Sequence, residues 1–570
     1  MVNYRRKLRL GDILMANGII DEHQLKEALK TQEKNGIKLG EALITLGYID
    51  EDDMCKALSK QLGYEVVNLG GKEIDENLIK LVNGSILRKY AMFPYKFKEG
   101  SPNVVKVAME DPMNIMAIDD FSIITNLQVE PVIASHSDIM LAIDRHYGET
   151  EAMQAAEQYT IERSNRFADL SEEDIQADIA IESSPIVQLV KSMIEQAARQ
   201  RASDVHIEAM ENRVRIRYRI DGALYEKMNY DRSLLSAIIA RIKIVSGMDI
   251  SEKRKPQDGR FSIDIDKITY DIRVSTLPTV YGEKCVMRLA FKNVVIKSKE
   301  DLGLDKTSLK KFDRILSNPN GIILVTGPTG SGKSTTLYTV LRELNTSDVN
   351  IITVEDPVEA NIKGINQVQV NTKANLTFAN SLRSILRQDP DIIMIGEIRD
   401  IETAKIAVQA SLTGHLVVST LHTNSTANTI TRLMDMGIDS YLIADSTTAV
   451  VAQRLVRRLC PSCKRKRYLN DGEKEWLGIN PDYNLEVYEA VGCDKCNDTG
   501  YFGRVGVYEI MEITSAIKEL ITSKQPVSML NNAAKKEGMK TIKECCIELL
   551  VEGTTSIEDV IKVVGDNLKE

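Results

Sequence analysis

The residue pattern with the clearest chemistry is a glycine-rich loop, Gly-Pro-Thr-Gly-Ser-Gly-Lys-Ser-Thr. It follows the apolar run Ile322-Ile-Leu-Val, typical of a buried strand, and precedes a stretch with helical periodicity. In that context glycines let backbone N–H groups face phosphate oxygens, Lys333 can meet the β and γ phosphates, and Ser334 can meet Mg²⁺. The pattern predicts an ATP–Mg²⁺ site at Gly327, Pro328, Thr329, Gly330, Ser331, Gly332, Lys333, Ser334 and Thr335.

Acidic residues follow two further runs that are typical of buried strands. Asp391-Ile-Ile-Met-Ile-Gly-Glu397 ends in a carboxylate, which can hold Mg²⁺ through water or position a nucleophile. Ile351-Ile-Thr-Val is followed by Glu355 and Glu359, and such acids are costly to bury without a cation. These acids are therefore candidates for catalysis at the same nucleotide.

Two histidines and two arginines are further candidates for the ATP site. His415 and His422 flank a strand-like run in a chain with six histidines, and we expect them to respond to nucleotide state. Arg383 and Arg387 are one helical turn apart, which predicts that they share a helix face. They either cross a subunit interface or pack within the chain.

Two Cys-x-x-Cys pairs, Cys460 with Cys463 and Cys493 with Cys496, are separated by 29 residues. This spacing predicts a closed tetrahedral zinc site with a structural role. The other four cysteines lack such spacing and are interpreted as buried apolar residues. Nearby cations are expected to offset thiolate charge and to offer a docking face, namely Arg454, Arg457, Arg458, Lys464, Arg465, Lys466 and Arg467.

A repeat occupies the N-terminal residues, where 9–32 superimposes on 38–61 with a period of 29 residues. A duplicated helical hairpin explains the leucines and glycines. The matched basic residue and Gln instead suggest a ligand with two similar halves. The matched pairs are Arg9 and Lys38, Leu10 and Leu39, Gly11 and Gly40, Leu14 and Leu43, Gly18 and Gly47, and Gln32 and Gln61.

Length and composition limit the class of protein. A chain of 570 residues is expected to form three or four domains. The formal net charge of -9 argues against a nucleic-acid motor. The sequence shows no export signal and no apolar run near the roughly 20 residues that cross a bilayer, so we expect a cytoplasmic protein.

The middle of the chain reads as an α/β module in which one strand is basic at alternate positions, Arg213, Arg215, Arg217 and Arg219. We expect that face to be solvated or paired with acids. Several segments of this chain resemble the PilB/GspE family of type II and type IV secretion ATPases. They are Lys255-Pro-Gln-Asp-Gly-Arg260, Gly282-Glu-Lys-Cys-Val-Met-Arg288, the acidic stretch at Glu355 and Glu359, and the segment that contains His415 and His422.

The resemblance implies an α/β multi-domain chain. A RecA-like P-loop domain is expected at 305–570, with a zinc-binding insertion at about 455–505 and C-terminal helices. A PAS-like N2 domain is expected at 185–292, with linkers at 148–184 and 293–304. The repeat resembles the tandem motif of the MshEN domain, a cyclic di-GMP receptor, expected at 1–147 with a helical part at 1–62 and an α/β part at 63–147.

The resemblance also implies residue roles. Arg273 and Arg288 reach the terminal phosphates, and Glu359 is the general base, while Glu355 and Glu397 manage Mg²⁺ and water. Glu397 as the base is the alternative. The twelve repeat positions and Asp111 contact cyclic di-GMP, although Asp111 could instead cap a turn before Pro112.

The implied function is that of a homohexamer, docked at the inner face of the cytoplasmic membrane, whose ATP hydrolysis drives pilin polymerisation. Its partners would be an inner-membrane platform protein of the PilC/GspF type and an alignment-complex protein, and cyclic di-GMP would regulate it. The zinc insertion favours the pilus extension branch. The alternatives are a GspE-type type II secretion ATPase and a cyclic di-GMP receptor scaffold with weak ATPase activity.

Overall fold

The structure is a computed structural model that describes residues 10–156 apart from 71, 73, 149, 152 and 155, residues 184–291 apart from 267, and residues 298–565 apart from 481. The chain divides into two compact units, Met1–Lys292 and Asn293–Glu570. Arg9, most of the predicted linker 148–184 and residues 293–297 of the second linker lie outside the described residues. Within the described ranges, no helix is both long and apolar enough to cross a membrane.

Four helices form the N-terminal part of the first unit: α1 (Leu10–Ala16), α2 (Glu22–Asn35), α3 (Leu39–Thr45) and α4 (Glu51–Leu62). Helix α1 packs on α4, and α2 packs on α3. The repeated Leu14 and Leu43 are fully buried in the shared core. Gly18 (φ 68°) and Gly47 (φ 74°) follow the first helix of each repeat and have a left-handed backbone conformation, which glycine adopts at little cost. The predicted duplicated helical hairpin is confirmed.

An α/β subdomain follows, with a three-stranded sheet in the order β1-β2-β3. Strands β1 and β2 are antiparallel, and β2 and β3 are parallel. The elements are α5 (Glu76–Ile79), α6 (Gly84–Tyr90), β1 (Met92–Lys98), β2 (Ser101–Met109), α7 (Ile115–Thr125), β3 (Gln128–Ile133) and α8 (His136–Ile143).

The predicted N2 region is a six-stranded antiparallel sheet in the order β6-β5-β4-β9-β8-β7. Its elements are α9 (Pro185–Arg199), β4 (Ala202–Ala209), β5 (Arg213–Ile220), β6 (Ala223–Asp231), α10 (Leu235–Val245), β7 (Gln257–Ile265), β8 (Ile268–Thr279) and β9 (Gly282–Phe291). One sheet face forms an apolar core with α9 and α10. On the other face Arg215 and Arg217 pair with Glu208 at 2.9 and 2.6 Å, so the expectation of acid pairing is confirmed.

Buried ion pairs join the α/β subdomain to the N2 sheet within the first unit. Asp144 accepts hydrogen bonds from Arg88 at 2.5 Å and from Arg199 at 3.0 Å. Arg199 also donates to Asp266 at 2.8 Å, and His136 Nε2 lies 3.5 Å from the same carboxylate. Because the Asp144 side chain is only 6% exposed, removal of one partner from these pairs would leave a buried charge without compensation.

The second unit is built on a seven-stranded sheet in the order β12-β11-β13-β14-β10-β15-β18. Strands β10 to β15 are parallel, and β18 pairs antiparallel with β15. The strands are β10 (Gly321–Thr326), β11 (Ile351–Glu355), β12 (Asn366–Gln369), β13 (Ile392–Ile395), β14 (Leu416–Leu421), β15 (Thr447–Leu459) and β18 (Tyr501–Glu512). The carboxyl ends of the parallel strands therefore meet at one sheet edge, where ligands bind in such folds.

Helices cover both faces of this sheet: α11 (Lys306–Leu316), α12 (Lys333–Leu344), α13 (Phe378–Ile385), α14 (Ile401–Leu412), α15 (Thr426–Asp435) and α16 (Ser440–Ser446). Between β15 and β18 lies an insertion with β16 (Arg465–Tyr468), α17 (Asp471–Leu477) and β17 (Glu486–Glu489). The chain continues with α18 (Ser515–Thr522), α19 (Val527–Lys536), α20 (Ile542–Val551) and α21 (Ile557–Gly565). Helices α20 and α21 share a small core with the insertion.

Candidate functional site

The glycine-rich loop connects β10 to the first residue of α12, as the sequence predicts. Gly327 (φ 149°) and Gly332 (φ 88°) have backbone conformations that favour glycine. A Cβ at Gly327 would lie 2.5 Å from the carbonyl oxygen of Gln453, so the loop also needs glycine for space. The loop thus forms a close-packed cradle at a helix N-terminus, which is suited to phosphate.

Lys333 is folded back into this cradle. Its Nζ donates to the carbonyl oxygens of Gly327 at 2.8 Å and Pro328 at 3.1 Å, and the residue is 9% exposed. Burial lowers the pKa of Lys333 to about 8, although Glu397 favours the charged form. A bound anion would favour the ammonium further, since an opposite charge raises a lysine pKa.

Glu355, at the carboxyl end of β11, is buried and hydrogen-bonded to protein. Its carboxylate accepts from the Tyr338 hydroxyl, from Thr353 Oγ1 at 2.6 Å and from Gln367 Nε2 at 3.1 Å. The Tyr338 hydroxyl in turn accepts from the backbone N–H of Glu359 at 3.0 Å. In this arrangement Glu355 anchors the acidic loop to α12, and its oxygens are directed into the protein.

Glu397 and His422 meet at the same sheet edge as the loop. They follow β13 and β14, and His422 Nε2 lies 3.2 Å from Glu397 Oε2. Arg399 pairs with the other oxygen of Glu397 at 2.5 Å. Glu359 is exposed near this edge, in the loop after β11. The structure therefore gathers Lys333, Glu359, Glu397 and His422 where strand ends converge.

His415 is not brought to that edge. It precedes β14, its backbone carbonyl accepts from Gly321 N at 3.2 Å, and its Nδ1 lies 2.9 Å from the carbonyl oxygen of Ala410. Gly321 begins β10 whereas the phosphate loop follows its end, so the length of the strand separates His415 from the loop. The two histidines thus lie at opposite sheet edges.

Arg383 lies on α13, whereas Arg387 lies in the turn after the helix, which ends at Ile385. Both side chains are exposed, and Arg387 Nη1 donates to the Arg383 carbonyl oxygen at 2.8 Å. The prediction that they share a helix face is therefore wrong, because the helix stops before Arg387. Within the chain, Arg383 pairs with Glu402 of α14.

Tyr338 and Arg454 are residues of this region that the sequence interpretation missed. Arg454 was assigned to the zinc element, but it is only 5% exposed and donates to the Asn424 carbonyl oxygen at 2.9 Å. Its charge contributes to the lowered pKa of Lys333, after burial. The expectation was wrong because β15 pairs with β10, and that pairing cannot be read from local spacing.

In the first unit, Arg273 and Arg288 are cross-strand neighbours on the polar face of the N2 sheet. Arg288 donates through Nε to Asp204 at 2.9 Å, and its side chain is 64% exposed. Arg273 is less exposed, at 31%, and its Nε lies 3.9 Å from Asp271. The predicted pair of arginines thus lies side by side.

Lys38 and Asp111, two predicted cyclic di-GMP residues, form an exposed ion pair with a distance of 3.0 Å. The hydrogen bond to Asp111 raises the pKa of Lys38. Asp111 also accepts from the backbone N–H of Met113 at 3.1 Å, so it caps a turn as well. Gly11 and Gly40 lie against Leu25 and Met54, where a Cβ would fall within 2.9 and 2.0 Å, which is a packing reason for these two glycines.

The four predicted zinc cysteines come together in the second unit. Their sulfur atoms all lie within 4.8 Å of one another. The separations are 3.8 Å for Cys460–Cys493, 3.9 Å for Cys463–Cys496 and 3.7 Å for Cys493–Cys496. Tetrahedral zinc with bonds of about 2.3 Å requires sulfurs about 3.8 Å apart, so the residues present fit zinc.

The cations beside this cluster are mostly paired with acids. Arg465 pairs with Glu489 at 2.6 Å, Lys466 with Glu486 at 2.7 Å, and Arg467 with Glu473 at 2.8 Å. Arg457 pairs with Asp559 at 2.5 Å. Pairing neutralises most of the expected basic docking face.

Two family models match the chain. The model for "Type II/IV secretion system protein" matches residues 180–562, and that for "MshEN domain" matches residues 62–153. The second match begins where the helical repeat ends.

Curated relatives match over most of the chain, to different extents. The type IV pilus assembly ATPase PilB of Myxococcus xanthus is 43% identical over 561 residues, which are 97% of this chain and 98% of that protein. Type II secretion system protein E of Aeromonas hydrophila is 47% identical over 397 residues, or 70% of this chain and 78% of that protein. The X-ray structure of the Yersinia pseudotuberculosis ATPase DotB is 21% identical with a TM-score of 0.51, covers 66% of this chain and 93% of its own, and is similar in fold.

Proposed function

The chain belongs to the family of type II/IV secretion system proteins, and on that premise we propose that it is an ATPase that drives type IV pilus assembly. The observation that carries this proposal is the near-complete match to a pilus assembly ATPase, at 43% identity over 97% of the chain. The phosphate cradle at Lys333 and the carboxylates at the same sheet edge supply the chemistry that such an activity needs.

A type II secretion ATPase is the second candidate. A protein of that system is 47% identical, a higher value, but the match covers 70% of this chain. The N-terminal part of the chain is therefore better explained by the pilus relative. The two candidates share the same chemistry and differ in the protein that is moved.

In the proposed mechanism the loop amides and Lys333 bind the phosphates of ATP. Ser334 and Glu397 would hold Mg²⁺, which would neutralise negative charge on the phosphates. Glu359, exposed at this edge, removes the proton from the attacking water. Arg273 and Arg288 contact the terminal phosphate with a planar charged fork. We assign His422 to the orientation of Glu397, which it contacts at 3.2 Å.

The assignment of the base has a direct test. Glu359→Gln and Glu397→Gln both remove a carboxylate with little change in volume. If Glu359 is the base, its variant loses turnover about 100-fold or more while the KM for Mg–ATP stays near the wild-type value. Glu397→Gln would instead raise the Mg²⁺ concentration needed for half-maximal turnover. The reverse pattern would assign the base to Glu397.

We also propose that the N-terminal repeat binds cyclic di-GMP. The exposed Lys38–Asp111 pair supports this, because it joins the helical part to the α/β subdomain that matches the MshEN model. In the sequence, Arg9 occupies the position in the first repeat that Lys38 occupies in the second repeat. A phosphate of the dinucleotide would compete with Asp111 for Lys38, so the ligand would contact both the helical part and the α/β subdomain.

Isothermal titration calorimetry with cyclic di-GMP tests this part of the proposal. Arg9→Ala and Lys38→Ala should each raise the Kd for cyclic di-GMP at least about 10-fold, since each removes a charge-assisted contact. Lys26→Ala is the control, because Lys26 is 69% exposed on α2 and pairs only locally with Glu22. Unchanged affinity in both repeat variants would refute the site.

The remaining parts of the proposal concern assembly. We propose a homohexamer that acts on an inner-membrane platform protein of the PilC/GspF type, with an alignment-complex protein as a further contact and zinc as a structural ion at the four cysteines. Docking at the cytoplasmic face of the membrane follows from that partner.

Complementation distinguishes the two candidate functions. The chain is expressed in cells that lack their pilus assembly ATPase and in cells that lack their type II secretion ATPase, each with the platform protein from the chain's own host. Pili should return in the first cells only, and Lys333→Ala should fail to restore them. Restored secretion without pili would replace the proposed function by its alternative.

A further inference from the structure

A row of arginines crosses the polar face of the N2 sheet. In register, Arg260 of β7 lies opposite Arg273 of β8, which lies opposite Arg288 of β9. Neighbouring strands are about 4.8 Å apart, so the three guanidinium groups lie within reach of one ligand. The proposed function uses Arg273 and Arg288, and it leaves Arg260 without a role.

Two nearly buried carboxylates hold this row. Asp271 accepts from Arg260 Nε at 2.6 Å and lies 3.9 Å from Arg273 Nε. Asp204 accepts from Arg288 Nε at 2.9 Å. The side chains of Asp271 and Asp204 are 9% and 8% exposed. Asp204 lies opposite Arg288 on β4, and Asp271 lies on β8 beside the strand of Arg260, so each acid holds Nε of an arginine on the adjacent strand.

The contacts leave the outer ends of two arginines open. Arg260 and Arg288 are bound at Nε, their side chains are 68% and 64% exposed, and their terminal Nη groups make no hydrogen bond to any residue that the structure describes. A guanidinium fixed at Nε presents both Nη groups as a fork, which matches two oxygens of a phosphate.

Packing alone does not explain this arrangement. Like charges directly opposite one another on adjacent strands destabilise a sheet. The arginines share their acids, since Asp271 lies near both Arg260 and Arg273, and Asp204 lies 3.6 Å from Arg219 as well as contacting Arg288. An anion that binds over the row would reduce the repulsion between the guanidinium groups.

We propose that Arg260 is a third arginine that contacts the terminal phosphates of the nucleotide, and that Asp271 positions it. Asp204 has the same positioning role toward Arg288. This inference rests on the proposed function, in which Arg273 and Arg288 contact those phosphates.

Steady-state hydrolysis of Mg–ATP by the full chain tests the inference. Arg260→Ala should lower kcat about 10- to 100-fold and change KM less than about 3-fold, because the fork is needed most for charge in the transition state. Arg260→Lys should restore little of this loss, since an ammonium cannot bind two oxygens in parallel. Arg213→Ala is the matched control, an arginine on the same sheet face that is 51% exposed and lies 3.7 Å from Glu226. It should retain wild-type turnover.

A double-mutant cycle tests the positioning role. Asp271→Asn should lower kcat with an unchanged thermal midpoint, and in the Arg260→Ala background its further loss should be smaller than in the wild type. Losses that multiply fully would show that Asp271 acts independently of Arg260, and would overturn its role.

The outcomes separate this inference from the proposed function. If Arg273→Ala and Arg288→Ala lower kcat and Arg260→Ala does not, the third contact is wrong and the proposed function stands. If none of the three variants changes kcat, or if the wild-type chain hydrolyses no ATP, both are wrong.

Discussion

Replacing Tyr338 with Phe removes one hydroxyl that links the phosphate-loop helix to the acidic loop. The hydroxyl donates to Glu355 and accepts from the backbone N–H groups of Glu359 at 3.0 Å and Ala360 at 3.4 Å. Burial and then the Glu355 carboxylate raise the pKa of Tyr338, so the group stays a donor at neutral pH.

The size of the effect follows from what the deletion leaves behind. Glu355 keeps two donors, Thr353 and Gln367, but both bind Oε1, so the buried Oε2 loses its hydrogen bond from Tyr338. The N–H of Glu359 also loses this acceptor, and an unsatisfied buried group such as Oε2 costs about 1–3 kcal/mol. Release of this N–H also frees the carboxylate that we assign as the base, and a displacement near 1 Å can lower a rate about 100-fold. We therefore expect kcat to fall roughly 10- to 100-fold, with little change in KM.

Tyr501→Phe is the matched control for this variant. The Tyr501 residue is also buried in the second unit, and its hydroxyl forms a hydrogen bond with Ser556 Oγ at 2.7 Å at the start of β18, away from the acidic loop. It should cost a similar amount of stability, measured by urea unfolding, and retain kcat. Wild-type kcat in Tyr338→Phe, or an equal loss in both variants, would show that the Tyr338 hydroxyl does not position the acidic loop.

The cysteine cluster, His136 and the Arg457–Asp559 pair can each be tested directly. Purified chain should contain one zinc ion per chain by elemental analysis, and serine at any one of the four cysteines should abolish it; retained zinc would contradict the site. Burial disfavours the charged form of His136, but hydrogen bonds to Asp266 and a second carboxylate outweigh it and raise its pKa to about 9. The resulting stability, about 3 kcal/mol, is therefore complete below about pH 6.5 and lost as pH rises through about 9. His136→Asn should remove this pH dependence from hydrogen exchange of the first unit, and an unaltered profile would exclude it. Asp559→Ala removes a buried carboxylate that accepts hydrogen bonds from the backbone N–H and the guanidinium of Arg457, and it should cost about 3–5 kcal/mol in urea unfolding followed by tryptophan fluorescence. Glu558→Ala, at an exposed side chain, should cost under about 0.5 kcal/mol, and equal costs would contradict the prediction.

Local sequence was sufficient wherever the chemistry lies within a short segment. The loop at 327–335 and the two Cys-x-x-Cys pairs bring their own geometry, and the strand–loop–helix context and the sulfur cluster follow the spacing. The edge at which Glu397 and His422 meet could also be predicted, because both follow buried runs that become parallel strands.

Contacts between distant segments could not be predicted in this way. Glu355 was assigned to Mg²⁺ and water, but Tyr338 and Gln367 direct its carboxylate inward, and that depends on how α12 packs beside β11. His415 and His422 belong to one motif, yet a strand separates them. Arg454 reaches the phosphate loop only because β15 lies beside β10.

Hydrolysis of Mg–ATP by the purified full chain, compared with Lys333→Ala, tests the central claim most directly. Lys333 is held by loop carbonyl oxygens, so its removal deletes a phosphate contact with little effect on the core. We expect steady turnover in the wild type and loss of at least about 100-fold in the variant, with the same thermal midpoint. Equal turnover in the two proteins would contradict it.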